Sequence, residues 1–171
     1  MRKGLLLVCV VVLFSVFMSC GESLTDKQLF EKAKQYESEE KADLAVTFYQ
    51  KLADTYPQSG LASEALFRIA VIAAGQKQDW EKAIEVYSQL VSKFPDSEFA
   101  PKSQFMVGYI YANEIKDFEK AKAAYNKFIE AFGAVDSGMT ASAKFELENM
   151  GKDISEIGFL KNTEEEKAVK K

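Results

Sequence analysis

Few side chains in this chain could do chemistry, and their types and spacing point away from catalysis. There are two cysteines, Cys9 and Cys20, and no histidine. A His-based nucleophile triad and a His-containing metal site are therefore out of reach. The acidic pair Glu39-Glu40 and the run Glu164 to Glu166 sit in solvated stretches. They read as surface rather than as general acid–base pairs, which need one carboxyl tuned against the other. Acidic triplets could hold Ca²⁺ weakly but lack the spacing of an EF-hand loop, and no glycine-rich phosphate loop is present. An enzyme using carboxylates alone is the one catalytic reading left, so the expectation is no enzyme, no metal and no cofactor. Cys20 remains as the single thiol with a telling context, as an acceptor for a lipid.

That context is an export signal over residues 1–19. Arg2 and Lys3 precede fourteen residues, Leu5 to Met18, that are apolar except for Ser15. A bilayer span needs about 20 apolar residues, so the run suits a cleaved signal better than an anchor. The segment Phe17-Met18-Ser19-Cys20 resembles the lipobox of bacterial lipoproteins, with Ser19 in the small position beside the cut. Phe17 and Met18 depart from the usual leucine and small residue of that motif. The resemblance implies lipidation of Cys20, and Gly21 in place of a retention aspartate implies delivery to the outer membrane, on its periplasmic face. Anchoring at the inner membrane, ordinary secretion and an uncleaved anchor are the alternatives. Cys9 would leave with the signal, so no disulfide could form within the mature chain.

A lipid on Cys20 would hold the protein by a short tether, residues 20–25. Leu24-Thr25-Asp26-Lys27-Gln28-Leu29 carries the signature of a helix start: Thr25 as N-cap, Gln28 reaching back, and Leu24 stapling onto Leu29. Five residues reach at most ~17 Å, so the folded part is expected close against the membrane. Loss of Arg2 and Lys3 leaves 20 basic against 26 acidic residues, a net charge of −6, with Arg68 as the only arginine. An acidic, arginine-poor domain suits neither nucleic acid nor an anionic lipid surface.

The elements that follow repeat at one interval. Tyr49, Tyr87 and Tyr125 stand 38 residues apart, as do Ala45, Ala83 and Ala121, then Tyr56, Phe94 and Phe132, and also Leu29, Phe67 and Phe105. Each unit reads as two helices. Phe67, Val71 and Ala74 mark one face of the first helix of the middle unit, and Phe105, Tyr109 and Ala112 do so in the third. Leu29, Ala33 and Tyr36 match them in the first. Asp79 and Asp117 cap the second helices, where the first unit has Lys41. The alanines let paired helices approach closely, and the tyrosines one turn later fill the space between hairpins.

This pattern resembles the tetratricopeptide repeat (TPR), with its small residue, aromatic and terminal proline at matching offsets. The resemblance implies an all-α solenoid of three helix-turn-helix repeats over 26–133 (26–59, 64–97 and 102–133). The turns Tyr56-Pro57-Gln58-Ser59 and Phe94-Pro95-Asp96-Ser97 resemble those of bacterial envelope TPR lipoproteins, the BamD-like outer-membrane assembly group and the Tol-Pal-associated proteins. Fewer repeats distinguish this chain from the first group, and the lack of a preceding coiled coil from the second. Residues 134–160 are expected to cap the stack, with a helix over Thr140 to Met150, Gly151 as its left-handed stop, and Ile154, Ile157 and Leu160 folding back on Phe145. Residues 161–171 form a charged tail with too little apolar content to fold.

In the TPR family the first helix of each pair lines a concave groove. Carried over, its partner-binding positions are Phe30, Lys34 and Glu37, then Arg68, Ile72 and Gln76, then Met106, Ile110 and Asn113. Two points stay open: Ile72 and Ile110 could be core, and Arg68 could pair a partner's carboxylate or an internal glutamate. The expected function is a lipid-anchored periplasmic scaffold that binds other envelope proteins or peptides, with no nucleic acid and no small-molecule substrate. A BamD-like subunit of the barrel-insertion machinery and a self-associating structural protein are the alternatives.

Overall fold

The computed structural model describes residues 23–152 and Glu156. The segment expected to be an export signal, Cys20, the expected tail 161–171 and the residues Ile154, Ile157 and Leu160 expected to fold back lie outside the described residues. Seven α-helices follow in order: α1 (Asp26–Ser38), α2 (Ala42–Thr55), α3 (Ala62–Gly75), α4 (Trp80–Lys93), α5 (Phe99–Ile110), α6 (Phe118–Phe132) and α7 (Ser137–Asn149). Among the described residues there is no strand. Each helix packs on the next, giving an α-solenoid of three antiparallel hairpins closed by α7. The first helices α3 and α5 also touch directly, and no two second helices approach as closely. The first helices therefore form the inner wall of the stack.

Local chemistry sets the helix ends. Thr25 Oγ1 accepts the Gln28 amide at 3.2 Å while Gln28 Oε1 accepts the Thr25 amide at 2.9 Å, a complete capping box. Asp79 and Asp117 accept the amides of Lys82 and Lys120 at 3.0 and 3.1 Å. Lys41 makes no such bond. The serines of the two Pro-containing turns do related work. Ser59 Oγ accepts the Leu61 amide at 3.2 Å and Ser97 Oγ accepts the Phe99 amide at 3.1 Å, tying down the starts of α3 and α5. Helix α7 begins at Ser137, three residues ahead of the expected Thr140, because Asp136 caps it through the Met139 amide at 2.8 Å. Gly151 takes the left-handed conformation at φ 77° just past its end.

The core is the repeat. Ala45, Ala83, Ala121, Tyr49, Tyr87 and Tyr125 are all buried. Each tyrosine meets a phenylalanine of its own hairpin's first helix: Phe30–Tyr49 at 5.5 Å between ring centroids, Phe67–Tyr87 at 5.8 Å and Phe105–Tyr125 at 5.3 Å. Such pairs are worth about 0.5–1.5 kcal/mol beyond the area they bury.

These pairs correct the first-helix ladder read from sequence. Phe30, not Leu29, is the counterpart of Phe67 and Phe105, so the first helices are offset by 37 residues and then by 38. The helix ends absorb the difference. In the first hairpin the Lys41 amide bonds Tyr36 O, five residues back, at 2.9 Å. In the others the Asp79 and Asp117 amides reach Ala73 O and Tyr111 O, six residues back, also at 2.9 Å. The third turn is widened into a π-helical segment over Tyr111–Ile115. Glu40, Gln78 and Lys116 all turn the chain from a left-handed conformation, with φ of 57°, 51° and 63°.

The extra residue rotates α3 and α5 by one position relative to α1. Ala70 and Gly108 take the buried place of Ala33, and Val71 and Tyr109, grouped by spacing with Phe67 and Phe105, are 39% and 38% exposed. Gly108 is needed there: a Cβ would lie 2.8 Å from two ring carbons of Tyr125. On α7, Ala143 is buried while Leu147 and Met150 pack against the core, as the spacing indicates. Phe145, by contrast, is 47% exposed.

Candidate functional site

On α3 nine of fourteen residues are buried, and those left to solvent form one strip. Arg68, Val71 and Gly75 lie along it at helical spacing. Along α5 and the π-helical segment after it the corresponding strip is Lys102, Met106, Tyr109 and Asn113. The direct contact between α3 and α5 sets these strips side by side on the inner wall. On α1 the offset of 37 residues places Lys34 at the level of Val71 and Tyr109, and Lys34 is exposed as they are.

The cationic groups of this wall are already engaged. Arg68 Nη1 lies 3.5 Å from Glu37 Oε1 and its Nη2 lies 3.3 Å from Glu64 Oε1, so the internal ion pair is the arrangement present. Glu37 also accepts the Tyr49 hydroxyl at 2.8 Å, linking α1, α2 and α3 through one carboxylate. Burial first, and that carboxylate second, push the Tyr49 phenol well above its ordinary range. Lys102 Nζ sits 5.2 Å over the Phe67 ring, and Lys34 Nζ lies 5.9 Å from the Phe30 ring and 3.8 Å from Glu31. The Asn113 amide donates back to Tyr109 O at 3.2 Å. The wall thus sets an ion-paired arginine and two lysines held near aromatic rings around an apolar centre made by Val71, Met106 and Tyr109. That chemistry suits burial of a partner's apolar side chain.

Of the positions carried over for partner binding, Lys34, Gln76, Arg68, Met106 and Asn113 reach the surface. Three do not, and are corrected here. Phe30 is a core aromatic packed on Tyr49. Ile72 and Ile110 are each 1% exposed. Gln35, their counterpart on α1, is exposed and bonds Glu39 at 2.8 Å. A position buried in the second and third hairpins but open in the first faces the preceding hairpin, and among the described residues no hairpin precedes α1. Sequence reasoning missed Val71 and Tyr109 as surface groups. The signal that finds them is the aromatic pairing, which shows Phe30 and not Leu29 to be the equivalent of Phe67.

Among the described residues no group of three or more acidic or thiol ligands is placed to hold a metal ion, and no helix is long and apolar enough to cross a membrane. No curated protein matches this chain by sequence. The tetratricopeptide repeat pattern matches it three times, over residues 29–59, 64–97 and 102–133. The chain belongs to the tetratricopeptide repeat family, whose members generally mediate protein–protein interactions and are typically non-catalytic scaffolds.

Proposed function

We infer that this protein is a lipid-anchored scaffold on the periplasmic face of a bacterial outer membrane, recruiting envelope proteins through its inner wall. The observation that carries the scaffold reading is the pairing of Val71 and Tyr109, large apolar side chains exposed at equivalent positions of neighbouring first helices. Single exposed apolar residues are ordinary, but matched ones on adjoining helices make a receptive strip. Support for the anchor comes from the sequence Phe17-Met18-Ser19-Cys20 and from the short reach between Cys20 and the capping box at Thr25. A BamD-like place in a barrel-insertion machine is the second reading, favoured by the aromatic-Pro-x-Ser turns whose serines secure α3 and α5.

Photocrosslinking amino acids at Val71 and Tyr109 in cells test the wall. The expected result is one captured envelope protein shared by both positions and missing from Leu44 and Phe118, which are apolar and exposed on second helices. Equal capture at all four sites overturns the wall as the recruiting surface, and capture of a second copy of this chain turns the reading to self-association. Capture of a barrel-forming insertase selects the second reading. Clickable palmitate tests the anchor separately, since a Cys20→Ala protein that still takes up label removes it.

A further inference from the structure

The outer side of the stack carries a second surface with different chemistry. Helices α4 and α6 run in the same direction and leave a cleft of about 400 Å³ floored by α5, at the lower end of ligand-sized cavities. Its floor is apolar around Val107, and Ile84 and Ala123 continue that lining on the two walls. Ser88 and Ser92 place hydroxyls along one side, and Lys120 and Lys127 line the other. Gln104 donates its amide to Ala124 O at 3.1 Å, which holds α5 to α6 beneath the cleft.

Among the described residues no carboxylate lines this cleft, although the chain as a whole is acidic. Glu85, one turn before Ser88, is held by Lys82 at 3.0 Å. Lys120 is partly neutralised by Asp117 at 2.9 Å, but Lys127 forms no ion pair among the described residues. The same positions one hairpin earlier carry Asp54 for Ser92 and Gln89 for Lys127, and Asp54 is bonded by Gln50 at 3.0 Å. Lys82 repeats Lys120 there, so it is the second lysine, Lys127, and the serine pair that belong to this cleft and not to the repeat.

We propose that the cleft between α4 and α6 docks an acidic amphipathic helix from a partner protein. Lys120 and Lys127 stand two turns apart on α6, about 10 Å at 1.5 Å per residue. A helix lying along α6 presents carboxylates seven residues apart on one face at that spacing, with apolar side chains between them entering the cleft. An extended strand covers the same distance in three residues, and its side chains at that separation point to opposite faces. The charge match and the spacing together select a helix. This surface is independent of the inner wall, so either can fail alone.

The test uses the purified full chain and a fluorescein-labelled 18-residue helical peptide with two glutamates seven apart and leucines between them. Anisotropy is expected to show saturable binding that Lys127→Glu weakens at least tenfold. Ala123→Phe, which fills the cleft from an exposed helix position, should weaken it similarly, while Val71→Glu on the inner wall leaves it unchanged. Circular dichroism checks that each variant is folded. The proposal is overturned by no binding, by equal binding of the peptide with glutamine in place of glutamate, or by loss on Val71→Glu alone. A chain dimer in sedimentation that Lys127→Glu dissolves overturns it too, since a second copy then owns the cleft.

Discussion

The hydroxyl of Tyr49 donates to Glu37 at 2.8 Å, whereas that of Tyr125, its counterpart two hairpins on, finds no hydrogen-bond partner among the described residues. Both rings are buried and both pack on a first-helix phenylalanine. The difference lies in what the first helix supplies. Ala74 and Ala112 occupy the later equivalents of Glu37, so the carboxylate is present only in the first hairpin.

Removing each hydroxyl should therefore have opposite effects. Tyr49→Phe leaves Glu37 with Arg68 but without its phenolic donor, at a cost of about 1 kcal/mol. Tyr125→Phe removes an unpaired buried group and should be neutral or stabilising by up to ~1 kcal/mol. Urea unfolding of the two variants side by side decides it, and equal losses would show that the Tyr125 hydroxyl is satisfied in solution.

The three tyrosines also set an alkaline limit. Burial raises all three phenols; Tyr87 is pushed up to about 12, and Tyr49 and Tyr125 are raised further. Below pH ~10 the phenols are neutral in both folded and unfolded chains, so their contribution is fully present. Above it the unfolded chain ionises and the folded one does not, and stability falls by up to ~1.4 kcal/mol per pH unit for each tyrosine. Unfolding midpoints measured from pH 8 to 11 should hold steady and then drop. Tyr125→Phe should reduce the steepness by about a third of the tyrosine effect.

Two helical glycines separate packing from propensity. A methyl at Gly108 would press on the Tyr125 ring at 2.8 Å, while one at Gly75 meets nothing within 4 Å. Gly108→Ala gains helix propensity but overpacks a rigid ring, for a net loss of about 1–2 kcal/mol. Gly75→Ala should stabilise by about 0.5–1 kcal/mol, since only the propensity term remains. Thermal melts of the two proteins are expected to move in opposite directions.

Much of the architecture was legible in residue spacing. The ladders Ala45, Ala83, Ala121 and Tyr49, Tyr87, Tyr125 mark second helices that begin just after Lys41, Asp79 and Asp117 and run without interruption, so one interval holds throughout them. The capping box at Thr25 and the aspartate caps were equally plain, because a cap is a local hydrogen bond between residues three apart. The first helices were harder. Leu29, Phe67 and Phe105 obey the same interval and are all apolar, yet a one-residue step separates α1 from α3. One step turns a helix by about 100°, enough to exchange core for surface.

Composition and periodicity by themselves determined that this chain is a stacked set of helical hairpins without histidine chemistry, since both depend on residue types and on contacts close in sequence. Which side chains of the first helices face inward, and hence which could meet a partner, was decided only in the tertiary structure. Turns that close five residues back in one hairpin and six in the next leave the spacing of the second helices at 38 residues while shifting the first helices by one. Their register shows only when Phe30, Phe67 and Phe105 are seen against the tyrosines they pack upon.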